Sequence, residues 1–368
     1  DLCRKGIKEG DRKMKKEIAR SSVKEKIKGF IDSFGWPRLI IAGFLLLLFL
    51  VAPLGGISIL TSISDVLMRF GMNSIMVLAM VPMIHSGCGL NFGLPLGIIS
   101  GLLGGTLSMQ FGFTGGVSFL VAILITIFFG TLFGWAYGVL LNKVKGGEMM
   151  IATYVGYAAV SFMCIMWLLL PYSNPQMVWG YKGTGLRTTI STEGYYLHIL
   201  SDFLKIKIGN LEIPTGALLF FAFFAFLMWA FLHTKTGTAM TAVGSNPTFA
   251  KASGINVDRT RTLSVIMSTV LGGIGILAYQ QAFGFIQLYM GPFYMALPAV
   301  SAILIGGASV NKASIPNVII GTLLFQGIVT MTPSVMNSLI HTDMSEVIRI
   351  IASNGMILYA LTRKSEAK

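Results

Sequence analysis

Long apolar runs separated by short polar connections constrain this chain more than any motif in it. A helix of roughly 17 to 25 apolar residues crosses a hydrocarbon layer of about 30 Å, and at that length every backbone amide is satisfied inside the segment. About ten such runs are read, at 37–54, 70–84, 94–109, 117–141, 149–170, 214–232, 263–283, 293–310, 315–331 and 345–361. The expected fold class is all-α, a polytopic membrane protein with about ten transmembrane helices. With 54% hydrophobic and 12% charged residues, the sequence does not supply an ordinary soluble surface.

Charge then orients the bundle. A formal net charge of +13 suggests nucleic acid, but its placement argues for the membrane instead. Basic residues crowd the arm 1–36 and recur at Lys143, Lys145, Lys235, Lys251, Arg259, Arg261, Lys312, Arg363 and Lys364. An even number of crossings puts all of these on one face, and the positive-inside rule makes that face, with both termini, cytoplasmic. The opposite connections hold only Arg69, Lys182, Arg187, Lys205, Lys207 and Arg349. Two parts follow: a basic arm (1–36), with an interfacial amphipathic helix expected over 17–34, and a transmembrane domain (37–368). Within the second, 171–213 is external, with a hairpin expected at 205–213, and 234–262 is cytoplasmic. Membrane lipid is the expected surround, and nucleic acid is not an expected partner.

The stretch 234–262 is too polar for a bilayer core and too patterned for a slack linker. Glycines and small residues alternate with Lys235, Lys251, Arg259 and Arg261 around the turn Gly244-Ser245-Asn246-Pro247. Pro247 suits a first helical position and Gly254 a helix end, so a compact helix is expected between them. Elsewhere glycines recur every four residues, at Gly130, Gly134 and Gly138 and at Gly97, Gly101 and Gly105, the spacing that lets helix backbones approach. Gly272, Gly273 and Gly275 fit the same use or a helix that flexes.

A second polar interruption, 85–95, reads HSGCGLNFGLP. It suits either a simple turn or a broken helix lining a polar pathway, since irregular backbone at membrane depth survives only inside protein or beside a cavity. The segment 304–312 looks like a phosphate loop but fails: Asn311 stands at the required glycine and Ala313 at the Ser/Thr. The four histidines are scattered, and Cys3, Cys88 and Cys164 form no disulfide framework. No nucleophile-and-base set, metal cluster or nucleotide site is read, so the chain is not expected to be an enzyme or to bind a cofactor itself.

Residues 242–257, AVGSNPTFAKASGINV, are similar to a G-x-N-x-x-A-A-x-x-x-G-I-N-V segment, with Phe249 at the first alanine. On this, on 143–153 (KVKGGEMMIAT) and on 305–309 (IGGAS), the chain resembles the permease subunits of ABC importers for simple sugars of the ribose type and for nucleosides, relatives of the branched-chain amino acid permeases. The likeness runs over about 73–360. Around 86–93 sugar permeases commonly read G-G-x-D-L-S-x-G; here Gly89 replaces the acid and Asn91 the serine, and Asn91-Phe92-Gly93 is similar to the N-I-G of nucleoside permeases. Sugar and nucleoside both stay open.

The resemblance implies a bacterial inner-membrane location. It also implies a second permease subunit, identical or paralogous, cytoplasmic ATPase subunits carrying ATP and Mg, and an extracytoplasmic substrate-binding protein. It assigns ATPase coupling to Gly244, Asn246, Pro247, Ala250, Lys251, Gly254 and Ile255. Amides and aromatic faces suit hydroxyl-rich solutes, which selects Asn91, Phe92, Tyr154 and Gln280 as pathway candidates. The rival class is a secondary transporter driven by an ion gradient. It is disfavoured because acids such as Asp65, Glu148, Asp258 and Glu346 are read in loops or at helix mouths rather than inside spans.

Overall fold

The computed structural model describes residues 36–178, 185–309 and 312–340, with 347, 350, 351 and 354–356. The helix expected in the arm and most of the tenth apolar run lie outside these residues. The chain is mostly helical: α1 (Trp36–Val51, extended by a 3-10 turn Ala52–Gly55), α2 (Ile59–Leu78), α3 (Met80–His85), α4 (Leu94–Gln110), α5 (Gly115–Lys143) and α6 (Glu148–Leu169). Then come α7 (Ile199–Asp202), α8 (Thr215–Leu232), α9 (Lys235–Ser245), α10 (Pro247–Ala252), α11 (Val257–Phe283), α12 (Gly291–Ile305) and α13 (Ile315–Ile340).

Among the described residues, seven stretches are long and apolar enough to cross a membrane, with α2 and α3 counting as one from Ile59 to His85. The helices α4 and α12 are apolar but shorter, at 17 and 15 residues.

Three expectations change. The second span begins at Ile59 rather than near residue 70, because its first turns absorb polar groups: Ser64 Oγ donates back to Leu60 O and accepts from the Glu212 amide. Asp65 therefore lies inside a spanning helix, in its second turn on an exposed face, and not in a loop. The all-α reading also passes over two of four three-residue strands, β1 (Thr189–Ser191) and β4 (Phe285–Gln287), which pair antiparallel. The other two, β2 (Ile206–Ile208) and β3 (Leu211–Ile213), pair likewise and form the expected hairpin. Such short ladders satisfy backbone groups in the long connection after α6 that no helix satisfies.

Helix α11 is the axis of the bundle, packed on α2, α4 and α5. Glycine makes that possible. A Cβ at Gly97 would sit 2.6 Å from Thr269 O and one at Gly101 2.4 Å from Gly273 O. On α5, the positions facing Gly130, Gly134 and Gly138 are Val270, Ile266 with Thr269, and Thr262. Gly273 and Gly275 are occupied likewise, by Ser100 and Met76, so the glycines of α11 serve close packing. At Gly306 and Gly321 backbone meets backbone, a Cβ at either lying 1.9 Å from a carbonyl oxygen, of Asn317 and Ala302 respectively. The IGGAS segment is thus a tight turn between α12 and α13 rather than a ligand loop.

The connections sort onto two ends. One end gathers 86–93, 144–147, α9 with α10, and 306–314; Lys143, Lys145, Lys235, Lys251, Arg259 and Lys312 are all there. The other end gathers 111–114, the segment after α6 and 284–290. These are tied by β1–β4, by Gly115 N donating to Tyr195 O, and by Leu200 N donating to Gln281 Oε1.

Candidate functional site

At the basic end the polar stretch is two short helices with engineered-looking ends made from ordinary caps. Thr234 Oγ1 accepts from Gly237 N and starts α9; Asn246 Oδ1 accepts from Phe249 N at 3.0 Å and starts α10; Asn256 Oδ1 accepts from Arg259 N and starts α11. Between α10 and α11, Gly254 takes φ +82, and Gly254 N and Ile255 N close the helix on Lys251 O and Ala250 O. Ala250 is buried beneath this knob and Ile255 half-buried. Asn246, Pro247, Lys251 and Gly254 are exposed, and Phe249 stands 65% exposed at the tip.

The knob rests directly on the other polar interruption. A Cβ at Gly244 would lie 2.2 Å from His85 O and 2.9 Å from Gly87 N, and Gly87 in turn has φ +74. His85 adds a clasp: Nδ1 is 3.2 Å from Thr241 Oγ1 and Nε2 2.8 Å from Ala313 O. One imidazole thus ties α9 to the turn before α13.

Below that contact runs a buried polar chain along one face of α11. Arg261 Nη2 donates to Glu148 Oε1 at 2.5 Å, and its Nε donates to Cys88 Sγ at 3.3 Å. Gly146 N donates to Glu148 Oε2. Ser264 Oγ lies 2.6 Å from Ser86 Oγ. Tyr137 donates to Asn91 Oδ1, Asn91 Nδ2 donates to Ser268 Oγ, and Ser268 donates to Ala79 O, where α2 ends. The segment 85–95 is therefore a turn packed against protein, with Ser86, Cys88 and Asn91 engaged by α5 and α11 and His85 by α9 and the turn before α13.

The four pathway candidates are not gathered into one place. Asn91 has no exposed surface and both ends of its amide are engaged. Gln280, only 1% exposed, lies twelve residues beyond Ser268, about 18 Å along α11. It accepts from Tyr196 OH, and its Nε2 is unpartnered among the described residues. Phe92 is half-buried, with its carbonyl packed on Gly156 of α6. Tyr154 is 64% exposed on the outer face of α6.

Tyr154 has company that sequence reasoning missed. Tyr157, 56% exposed, and Ser161 share its face, and Tyr157 lies against Phe293 of α12 with ring centroids 4.7 Å apart. Tyr294 of α12 is exposed as well. Hydroxyls at i, i+3 and i+7 within an apolar 22-residue helix were the available signal, because one face of a helix repeats at that spacing. Hydrocarbon offers such groups no hydrogen-bond partner, so this face suits a polar surround better than lipid tails. Among the described residues, no group of three His, Cys, Asp or Glu side chains comes together as a metal site.

A spanning bundle with a capped polar knob at one end and a hydroxyl-bearing outer helix is a membrane transport subunit in class. The chain belongs to the family of permease components of branched-chain amino acid transport systems, whose sequence profile matches residues 62–358. It is a transport component and not a catalytic subunit. Similar proteins include the autoinducer 2 import system permease protein LsrD of Escherichia coli O157:H7 and that of Shigella flexneri, each 27% identical over 146 residues. Those matches span 39% of this chain and 40% of the length of the relatives. A transporter assigned to the metal-chelate type of ABC transporters, solved in an inward-facing conformation, aligns with 87% of this chain and 98% of its own at 15% identity and a TM-score of 0.43.

Proposed function

We propose that this chain is the permease subunit of an ATP-driven importer in the bacterial inner membrane, passing a simple sugar or nucleoside inward by alternating access. The observation that carries the reading is the α9–α10 knob, built on caps and held backbone to backbone against the core through Gly244 and Gly87. A rigid exposed element seated on the spanning helices suits a partner that pushes from outside the membrane. That partner is a pair of ATPase subunits, which carry the ATP and Mg. Gly244, Asn246, Pro247, Ala250, Lys251, Gly254 and Ile255 form or support the contact.

The basic end faces the cytoplasm, and the strand-tied end receives the substrate-binding protein. The face bearing Tyr154, Tyr157 and Ser161 lines the pathway opposite a second permease, identical or paralogous. Asn91 and Gln280 shape the helices behind that wall, with Phe92 bracing α6. Each partner state favours one arrangement of the helices by its differential contacts. Autoinducer 2, which the relatives import, joins sugars and nucleosides as a test solute.

Sealed vesicles holding the reconstituted complex are expected to take up solute only with ATP on the ATPase side, and to continue when ionophores collapse every ion gradient. Uptake driven by an imposed gradient without ATP would sink the proposal. Topology and pathway are read in a second assay, on a background that lacks Cys3 and Cys164 and keeps the buried Cys88, with one further cysteine at a time at Ser191, Ser245 or Ser161. Ser191 should react with an impermeant thiol reagent from outside and Ser245 only from the cytoplasmic side, with Ser161 open to a small water-soluble reagent. Labelling of Ser191 and Ser245 from the same side, or of Ser161 by lipid-soluble reagents alone, counts against it.

A further inference from the structure

We infer that Glu148 and Arg261 are positioning residues that carry movement of the α9–α10 knob to the pathway face of α6, an inference that rests on the function proposed above. Arg261 sits in the second turn of α11, directly after the knob, and Glu148 is the first residue of α6. They are 113 positions apart, yet Arg261 is 7% exposed and its guanidinium spans both Glu148 and Cys88. The pair therefore joins three pieces: the helix that follows the knob, the turn on which the knob rests, and the start of the helix bearing Tyr154, Tyr157 and Ser161.

The other ties of α6 lie farther along it, where Gly156 meets Phe92 and Pro95 and Tyr157 meets Phe293. Helix α6 leans on α4 and touches α5 sparsely, whereas α5 and α11 are fused through Gly130, Gly134 and Gly138. At the same end, Lys145 pairs with Asp258 at 3.1 Å, but both side chains are 59% exposed, and exposed pairs contribute little. The Arg261–Glu148 pair is largely shielded, and a charge-assisted bond of that kind is short and directional, so it transmits displacement where an exposed pair would rearrange. Glu148 is also held by the Gly146 amide, which fixes the carboxylate from its far side.

The decisive variant removes both charges together. Glu148→Met with Arg261→Met leaves no unpaired ion, and such replacements are commonly neutral for folding. In the reconstituted complex the double variant is expected to assemble and hydrolyse ATP, while solute moved per ATP falls at least tenfold. The ATP-dependent change in reactivity of a cysteine at Ser161 should disappear with it. Wild-type transport per ATP, or an unchanged ATP response at Ser161, overturns the inference. Arg261→Lys gives a second test, because it keeps the charge but cannot reach Glu148 and Cys88 at once. It should lower transport per ATP with assembly intact, and a wild-type ratio refutes the role. Failure of the functional reading looks different, since the unmodified complex would then show no ATP-dependent uptake at all.

Discussion

Gly244→Val should sharply reduce coupled transport while leaving the spanning helices inserted. The new Cβ would lie 2.2 Å from His85 O and 2.9 Å from Gly87 N, both backbone atoms, so no side chain can swing aside to make room. Either the knob lifts from the turn 85–93 or the turn deforms. Overpacking of this kind costs typically ~1–3 kcal/mol. Because ~1.4 kcal/mol is a factor of ten, uptake is expected to drop by roughly 5- to 150-fold. ATP hydrolysis by the assembled complex should continue, no longer answering to solute. Gly43→Val is the matched control. A Cβ there meets nothing within 4 Å, and Gly43 lies in α1 away from the knob, so transport should stay near the unmodified level. Full transport in Gly244→Val would remove the contact from the coupling route.

Gly134→Leu should act on existence rather than coupling. Its Cβ would sit 2.8 Å from Ile266 Cα and 3.1 Å from Thr269 Cβ, where α5 and α11 touch along their backbones. Small residues permit that approach, and membrane helices depend on such packing for association. Prising the pair apart also loosens α4, which reaches α11 at Gly97 and Gly101. A loss of about 3 kcal/mol or more is expected, a large share of the stability of a typical protein. Thermal inactivation in detergent, followed by size-exclusion profile, reads it directly. Gly43→Leu on α1 makes the same chemical change where nothing lies within 4 Å and should leave the profile unchanged. Equal behaviour of the two variants would mean that the α5–α11 contact is not limiting.

The sequence announces its spanning helices and its glycine stripes because both are periodic within one element, and the period of a helix is fixed by its geometry. The ends of the knob's second helix were legible because Pro247 and Gly254 act on residues next to them, whereas the capping role of Asn246 was not read. What escaped is non-local. Nothing near Arg261 names Glu148 as its partner, and nothing near Asn91 reveals that Tyr137 and Ser268 consume its amide. The hairpin of β2 and β3 was legible because its strands are neighbours, whereas β1 and β4 pair across a long stretch of chain and went unseen. Asp65 was misplaced because a polar opening turn hides the start of a helix from any reading based on apolar runs.

The glycine seams of α4, α5 and α11 have a consequence for how such a transporter could diversify. Substitutions along those seams decide whether the protein exists at all, since almost any side chain added there meets backbone. Helix α6 is different: its outer residues, Tyr154, Tyr157 and Ser161, touch little of the core, and each can be exchanged without disturbing a seam. With the α6 face as the pathway wall proposed above, selectivity and foldability would be written on separate helices, so a lineage or an engineer could revise the first while leaving the second alone.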